Sequence, residues 1–194
     1  MFTCGEDKAV KCWDLEHNKV IRSYHGHLSG VYCIKLHPKL DLLFTGARDS
    51  TIRVWDMRTK AQVHLLGGHQ GTVESLLTSE DEPQIISGSG DKMIKFWDIR
   101  TGSCHKTLTY HKKGVRALVQ HHDDYSIASG AADKLRFWKL PDGEHLRTIG
   151  SHNSIVNSLA LNKDNVLVSA ADNGTMQFHD WDSGHTFQRE QTIE

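Results

Sequence analysis

Residues 68–98 read GHQGTVESLLTSEDEPQIISGSGDKMIKFWD. The stretch holds a Gly-His pair, a short apolar run, a second run ending Ser-Gly-Ser-Gly-Asp, and a third ending Trp-Asp. The same order recurs on both sides of it. Trp-Asp falls at 13–14, 55–56 and 97–98, then Trp138-Lys139 and His179-Asp180 follow, at steps of 42, 42, 41 and 41 residues. A histidine column keeps this step through His27, His69, His111 and His152, with Tyr110 and Ser151 replacing the glycine before the last two. A lone Trp-Asp says little, whereas several columns held in one register of about 40 to 45 residues mark an array of four-stranded blades.

Between the columns, apolar and polar residues alternate in short runs broken by Gly, Asp, Asn or Pro. That pattern predicts antiparallel strands throughout and no helix. Residues 1–25 make a partial blade without its first strand, followed by full repeats at 26–67, 68–109, 110–150 and 151–194. The expected fold is all-β: a single propeller segment of about four and a half blades around one continuous core. The chain is expected to open inside a blade, because Thr3-Cys4-Gly5-Glu6-Asp7 stands where the next repeat has Thr45-Gly46-Ala47-Arg48-Asp49.

In a meander of strands a to d, the loop entering a and the turn from b to c lie at the same end of the blade. The histidine and the aspartate therefore reach one edge. This predicts buried networks of His27, Thr45, Asp49 and Trp55; of His69, Ser87, Asp91 and Trp97; and of His111, Ser129, Asp133 and Trp138. Burying an imidazole, a hydroxyl and an indole N–H is costly unless each finds a partner. The last unit departs: His179 stands where the tryptophan belongs, and Asn173 or Asp172 where the aspartate belongs, so the pattern does not carry the network over to His152 and Ser169.

Recurring Ser, His and Asp invite a hydrolase reading. A triad needs an exposed serine oxygen and an oxyanion hole, and no Gly-x-Ser-x-Gly elbow occurs. The set repeats in blade after blade with tryptophan packed into it, so no catalytic residue is assigned. The 14 histidines show no HExxH or paired Cys/His spacing, and His37, His121 and His122 read as surface residues near the turns between strands a and b, so no metal is expected. Ser87-Gly88-Ser89-Gly90-Asp91 is a turn rather than a phosphate loop, and no cofactor is expected. Cys4, Cys12, Cys33 and Cys104 lack CxxC spacing and read as free thiols of a reducing compartment. There is no apolar run near 18 residues and no signal peptide pattern, so no membrane partner is expected and the chain reads as cytosolic or nuclear.

With 23 Lys+Arg against 24 Asp+Glu, nothing points to a bulk polyelectrolyte partner. Residues 99–149 alone hold nine Lys/Arg against five Asp/Glu. Direct RNA contact is the disfavoured reading of that excess beside a solvated face or an acidic protein partner. Partner-contact candidates come from positions free of packing duty: Leu28, Gln70, Lys112 and Asn153 just after the histidines, and Tyr32, Glu74, Arg116 and Asn157 at the second position of strand a. Lys113 and Arg48 lie on the same edge. A rigid scaffold that varies its loop residues is how repeat proteins build binding surfaces. Bare blade faces and open strand edges at the two ends predict self-association.

The Gly-His, Ser/Thr-Gly-x-x-Asp and Trp-Asp columns together resemble the WD40 repeat family, whose fold is the β-propeller. Further strings, namely CGEDKAVKCWDLEHNKVIRSYHGHLSGVY (4–32), RDSTIRVWDMRTKAQVHLLGGH (48–69), YHKKGVRALV (110–119), LPDGEHLRTI (140–149) and VLVSAADNGTM (166–176), are similar to a WD40 subunit of the spliceosome-associated nineteen complex. The resemblance implies a nuclear, non-catalytic scaffold in pre-mRNA splicing whose partners are the splicing-factor proteins of that complex. It also implies a seven-bladed ring, of which this chain supplies fewer than five blades. A general WD40 adaptor, such as a ubiquitin-ligase substrate receptor or signalling scaffold, is the alternative.

Overall fold

The structure is a computed structural model describing residues 1–79, 82–150, 152 and 154–192. Among the described residues nineteen strands form five antiparallel sheets, each a meander in sequence order. The first has three strands, β1 (Phe2–Cys4), β2 (Val10–Asp14) and β3 (Lys19–Tyr24). The second is β4 (Val31–Leu36), β5 (Leu42–Ala47), β6 (Thr51–Asp56) and β7 (Gln62–Gly67). The third is β8 (Val73–Thr78), β9 (Gln84–Ser89), β10 (Ile94–Asp98) and β11 (Cys104–Leu108). The fourth is β12 (Val115–Gln120), β13 (Ser126–Ala131), β14 (Leu135–Lys139) and β15 (Glu144–Ile149). The fifth is β16 (Val156–Leu161), β17 (Val166–Ala171), β18 (Thr175–Asp180) and β19 (Thr186–Gln191). The sheets stack as propeller blades in chain order, β4 against β8, β8 against β12 and β12 against β16, and do not close into a ring.

The core lies between blades rather than within one. Leu77, Ile86, Ile94, Phe96 and Leu108 of the third blade pack against Val115, Ile127, Ala131, Trp138 and Leu140 of the fourth. The other neighbouring pairs repeat this interface. Alternation along each strand supplies both faces at once, so β9 and β13 are buried throughout, while the outer strand β11 is mostly exposed.

A small residue at one register of the second strand lets the blades close up. A Cβ built on Gly88 would sit 2.9 Å from Val115 Cγ1, and one on Gly130 would sit 2.8 Å from Val156 Cγ1. The first valine of each inner strand thus fills the space a side chain would take. The fifth blade has Ala170 at this register. Its Met176 and Phe178 take the places of Ile94 and Phe96, or Leu135 and Phe137, which are buried, yet both are only half-buried.

Each full blade also carries a β-bulge in its inner strand. Pairing with the second strand jumps from Val31 to Cys33, from Val73 to Ser75, from Val115 to Ala117 and from Val156 to Ser158. The skipped residues are Tyr32, Glu74, Arg116 and Asn157. A bulge leaves its extra residue unpaired and re-aims the side chain, and here it does so at the loop edge of every full blade.

Candidate protein-interaction face

The networks are built from the loop entering the inner strand, the second strand and the turn after it. In the third blade His69 Nδ1 lies 2.7 Å from Asp91 Oδ2, His69 Nε2 2.7 Å from Ser87 Oγ, and Trp97 Nε1 2.8 Å from that same oxygen. Burial disfavours the charged form of His69, and with a neutral imidazole, an indole that only donates and a carboxylate that only accepts, the proton order is fixed. The indole N–H donates to Ser87 Oγ, the serine O–H donates to His69 Nε2, and Nδ1–H donates to Asp91. A neutral imidazole closes the chain.

The second blade uses Asp49, His27, Thr45 and Trp55 at 3.0, 2.8 and 2.9 Å, and the fourth uses Asp133, His111, Ser129 and Trp138 at 3.0, 2.8 and 2.8 Å. Burial holds His27, His69 and His111 below the ordinary imidazole range against the pull of the paired carboxylates. Burial also works to raise Asp91, but the bonds from the Gln70 amide and His69 outweigh it and keep the carboxyl below its usual value.

In the first blade Trp13 Nε1 donates to Thr3 Oγ1 at 2.7 Å, the tryptophan–hydroxyl half of the same arrangement. The fifth blade closes with different parts. His152 Nε2 and His179 Nε2 share the Ser169 hydroxyl at 2.8 and 2.9 Å, His152 Nδ1 meets Thr175 Oγ1 at 2.6 Å, and His179 Nδ1 meets Thr186 Oγ1 at 2.8 Å. Asn173 occupies the aspartate position, four residues after the serine, and accepts from the Thr175 hydroxyl at 2.7 Å. Asp172 instead takes the Ser154 hydroxyl. No carboxylate enters, and burial beside His152 and Arg189 pushes His179 down to about 4.

These networks also hold the loop edge in place. The aspartate oxygen that faces the histidine in the second and third blades accepts the next backbone amide too, Leu28 N at 2.8 Å and Gln70 N at 3.0 Å, and in the fourth blade the other Asp133 oxygen takes Lys112 N at 3.2 Å. The turn is clasped to the same loop by Arg48 N to Gly30 O at 2.9 Å and Gly90 N to Thr72 O at 2.9 Å. Gln70 and Lys112 are thus exposed side chains on pinned backbone.

The bulged column is exposed at Tyr32, Arg116 and Asn157 and half-buried at Glu74. Arg116 Nη1 donates to Asn157 Oδ1 at 2.9 Å across two blades, and Tyr32 Oη reaches Glu6 at 3.5 Å. Burial raises the Glu74 carboxyl, opposed by the Arg116 charge. Lys113 and Arg48 are exposed on the same edge. Asn153 lies outside the described residues. The column was legible as a position in the repeat; the bulge that turns it outward was not, because a one-residue register jump leaves no mark in residue type.

His37 and His121 correct a sequence expectation. They are buried, not surface residues: His37 Nδ1 accepts from Lys39 N and Leu40 N at 3.1 Å, and His121 Nδ1 from Asp123 N and Asp124 N at 3.2 and 2.9 Å. Each ring satisfies the amides of its turn, a local motif hidden by the general preference of histidine for surfaces. His122 is exposed. All four cysteines are free thiols, Cys104 exposed and the others half-buried. Among the described residues, Asp14, Glu16 and His17 bring ligand atoms within 4.8 Å of one another, but their hydrogen bonds are those of an exposed turn.

Residues 1–179 match the sequence model of the nucleolar protein 10-like, N-terminal domain family. Pleiotropic regulator 1 of Mus musculus is 57% identical to the chain over 55 residues, 28% of the chain and 11% of that protein. Pre-mRNA-splicing factor PRP46 of Yarrowia lipolytica is 45% identical over 56 residues, covering 29% and 13%, and protein pleiotropic regulatory locus 1 of Arabidopsis thaliana is 54% identical over 55 residues, covering 28% and 11%. The chain thus aligns with little more than a tenth of each relative's length, and the similarity takes in under a third of the chain. The blades and their recurring networks make this a WD40-type repeat domain related over that fragment to the pleiotropic regulator 1 and PRP46 proteins, and with the match across residues 1–179 the chain belongs to the nucleolar protein 10-like, N-terminal domain family.

Proposed function

We propose that the chain is a non-catalytic scaffold that holds other proteins on its loop edge, acting in the nucleus in pre-mRNA splicing beside splicing-factor proteins of the nineteen complex. The observation that carries the binding role is the bulged, varied column Tyr32, Glu74, Arg116 and Asn157, standing over backbone pinned by buried networks. The splicing role is supported by relatives whose names read pre-mRNA-splicing factor. Against a hydrolase triad, Ser87 is wholly buried and its oxygen already serves both His69 and Trp97, so the network offers no exposed hydroxyl. The match to a nucleolar protein family favours a second reading, the same scaffold serving a nucleolar assembly.

The test is affinity capture from nuclear extract with the tagged chain and with a variant carrying Tyr32→Ala, Gln70→Ala and Asn157→Ala. Splicing factors should be recovered by the chain and depleted by the variant. Recovery of nucleolar proteins instead selects the second reading. Equal capture by both forms rejects the assigned edge.

A further inference from the structure

The loop edge of the middle three blades has one sign of exposed charge. In the loops entering β4, β8 and β12 (25–30, 68–72 and 109–114) and in the turns β5–β6, β9–β10 and β13–β14 (48–50, 90–93 and 132–134), the only acidic residues are Asp49, Asp91 and Asp133. All three are turned inward into the histidine networks, with side chains 7%, 7% and 14% exposed. The cations face outward: Arg48, Lys92, Lys112, Lys113 and Lys134 are exposed. Arg116 adds a sixth from the bulge of β12. The strip is bounded by exposed acids on both flanks, Glu6 and Asp7 in the first blade and Asp172 in the fifth.

The strip is also continuous from the third blade to the fourth. A Cβ on Gly114 would lie 3.0 Å from Gly90 Cα, so the Lys112-Lys113 loop abuts the turn that carries Lys92. At this edge the three carboxylates therefore point into the networks while the cations are displayed. Complementary potentials of this kind select partners and speed their encounter.

Resting on the scaffold reading above, we infer that this strip is the seat of an acidic polypeptide segment rich in Asp and Glu. Single-stranded RNA fits it less well. Nucleic-acid tracks combine phosphate neutralisation with exposed aromatic platforms. The exposed aromatics at this edge are Tyr32 and Tyr110, and the Tyr110 ring is already stacked on His145 at 5.7 Å and 9°.

The experiment is fluorescence anisotropy with a labelled Glu-rich peptide and, separately, a labelled single-stranded RNA. It uses the wild-type chain, the triple variant Lys112→Glu/Lys113→Glu/Arg116→Glu, the turn variant Lys92→Glu/Lys134→Glu, and Lys139→Glu at the opposite end of the fourth blade as control. Circular dichroism reports whether each folds. The wild type and the control should bind the peptide, more weakly as salt rises, and either edge variant should weaken binding about tenfold or more. The inference is overturned by a wild-type chain that ignores the peptide at low salt, by both edge variants binding undiminished, or by RNA binding more tightly than peptide. A chain that still captures splicing factors while ignoring the peptide keeps the scaffold reading and loses only this one.

Discussion

Ser87 shows how one hydroxyl can organise a blade. It accepts from Trp97 and donates to His69, so Ser87→Ala strands a buried indole N–H and a buried imidazole nitrogen. Urea unfolding should show a loss of about 1 to 3 kcal/mol. The fifth blade makes a different prediction, because its hydroxyl-linked pair contains no acid. His179 must stay neutral in the folded chain, where burial holds it near 4, while an unfolded imidazole takes up a proton below its ordinary value. Its contribution is therefore fully present above pH 6.5 and is lost as pH falls from there toward 4, at about 1.4 kcal/mol per pH unit at most. Burial holds His152 down as well, and Asn173→Asp, which places a carboxylate on its partner Thr175, should ease that part of the loss and reduce the drop in urea midpoint between pH 7.5 and pH 5. Parallel profiles for the two proteins would contradict this account.

At the scale of the strand, the glycine of the second strand and the valine of the next inner strand form one contact. Gly88→Ala would place a methyl 2.7 Å from Ser75 Oγ and 2.9 Å from Val115 Cγ1. Overpacking of that kind should cost about 1 to 3 kcal/mol by equilibrium unfolding. The fifth blade already carries alanine at the matching register, so Ala170→Gly should cost only about 0.5 to 1 kcal/mol, through backbone entropy. Similar losses at both sites would mean that the valine contact does not set the glycine. The inner-strand bulge is the other decisive element, since without its register jump Tyr32, Glu74, Arg116 and Asn157 would be paired ladder residues rather than an outward column.

Over the whole molecule, stacked blades leave their forward face uncovered at the fifth. Met176 and Phe178 are half-buried where the equivalents Leu135 and Phe137 are buried. The chain is expected to self-associate through such faces, and light scattering should find species larger than 21.9 kDa that diminish in Phe178→Glu. A monodisperse monomer would contradict this. The sequence by itself determined the all-β blades, their period, and which His, Asp, Ser or Thr and Trp meet, because these depend on columns repeated at a fixed step. His37 and His121 show where it stopped: the turn motif recurs two blades apart but is interrupted by Ser79 in the blade between, so it does not stand out as a column. Only the tertiary structure decided that the bulges turn the inner-strand column outward, that Thr175 and Thr186 rather than an acid complete the last network, and that the acids of the loop edge point in while its cations point out. Each of these depends on register and side-chain direction between segments distant in sequence, and residue type alone carries neither.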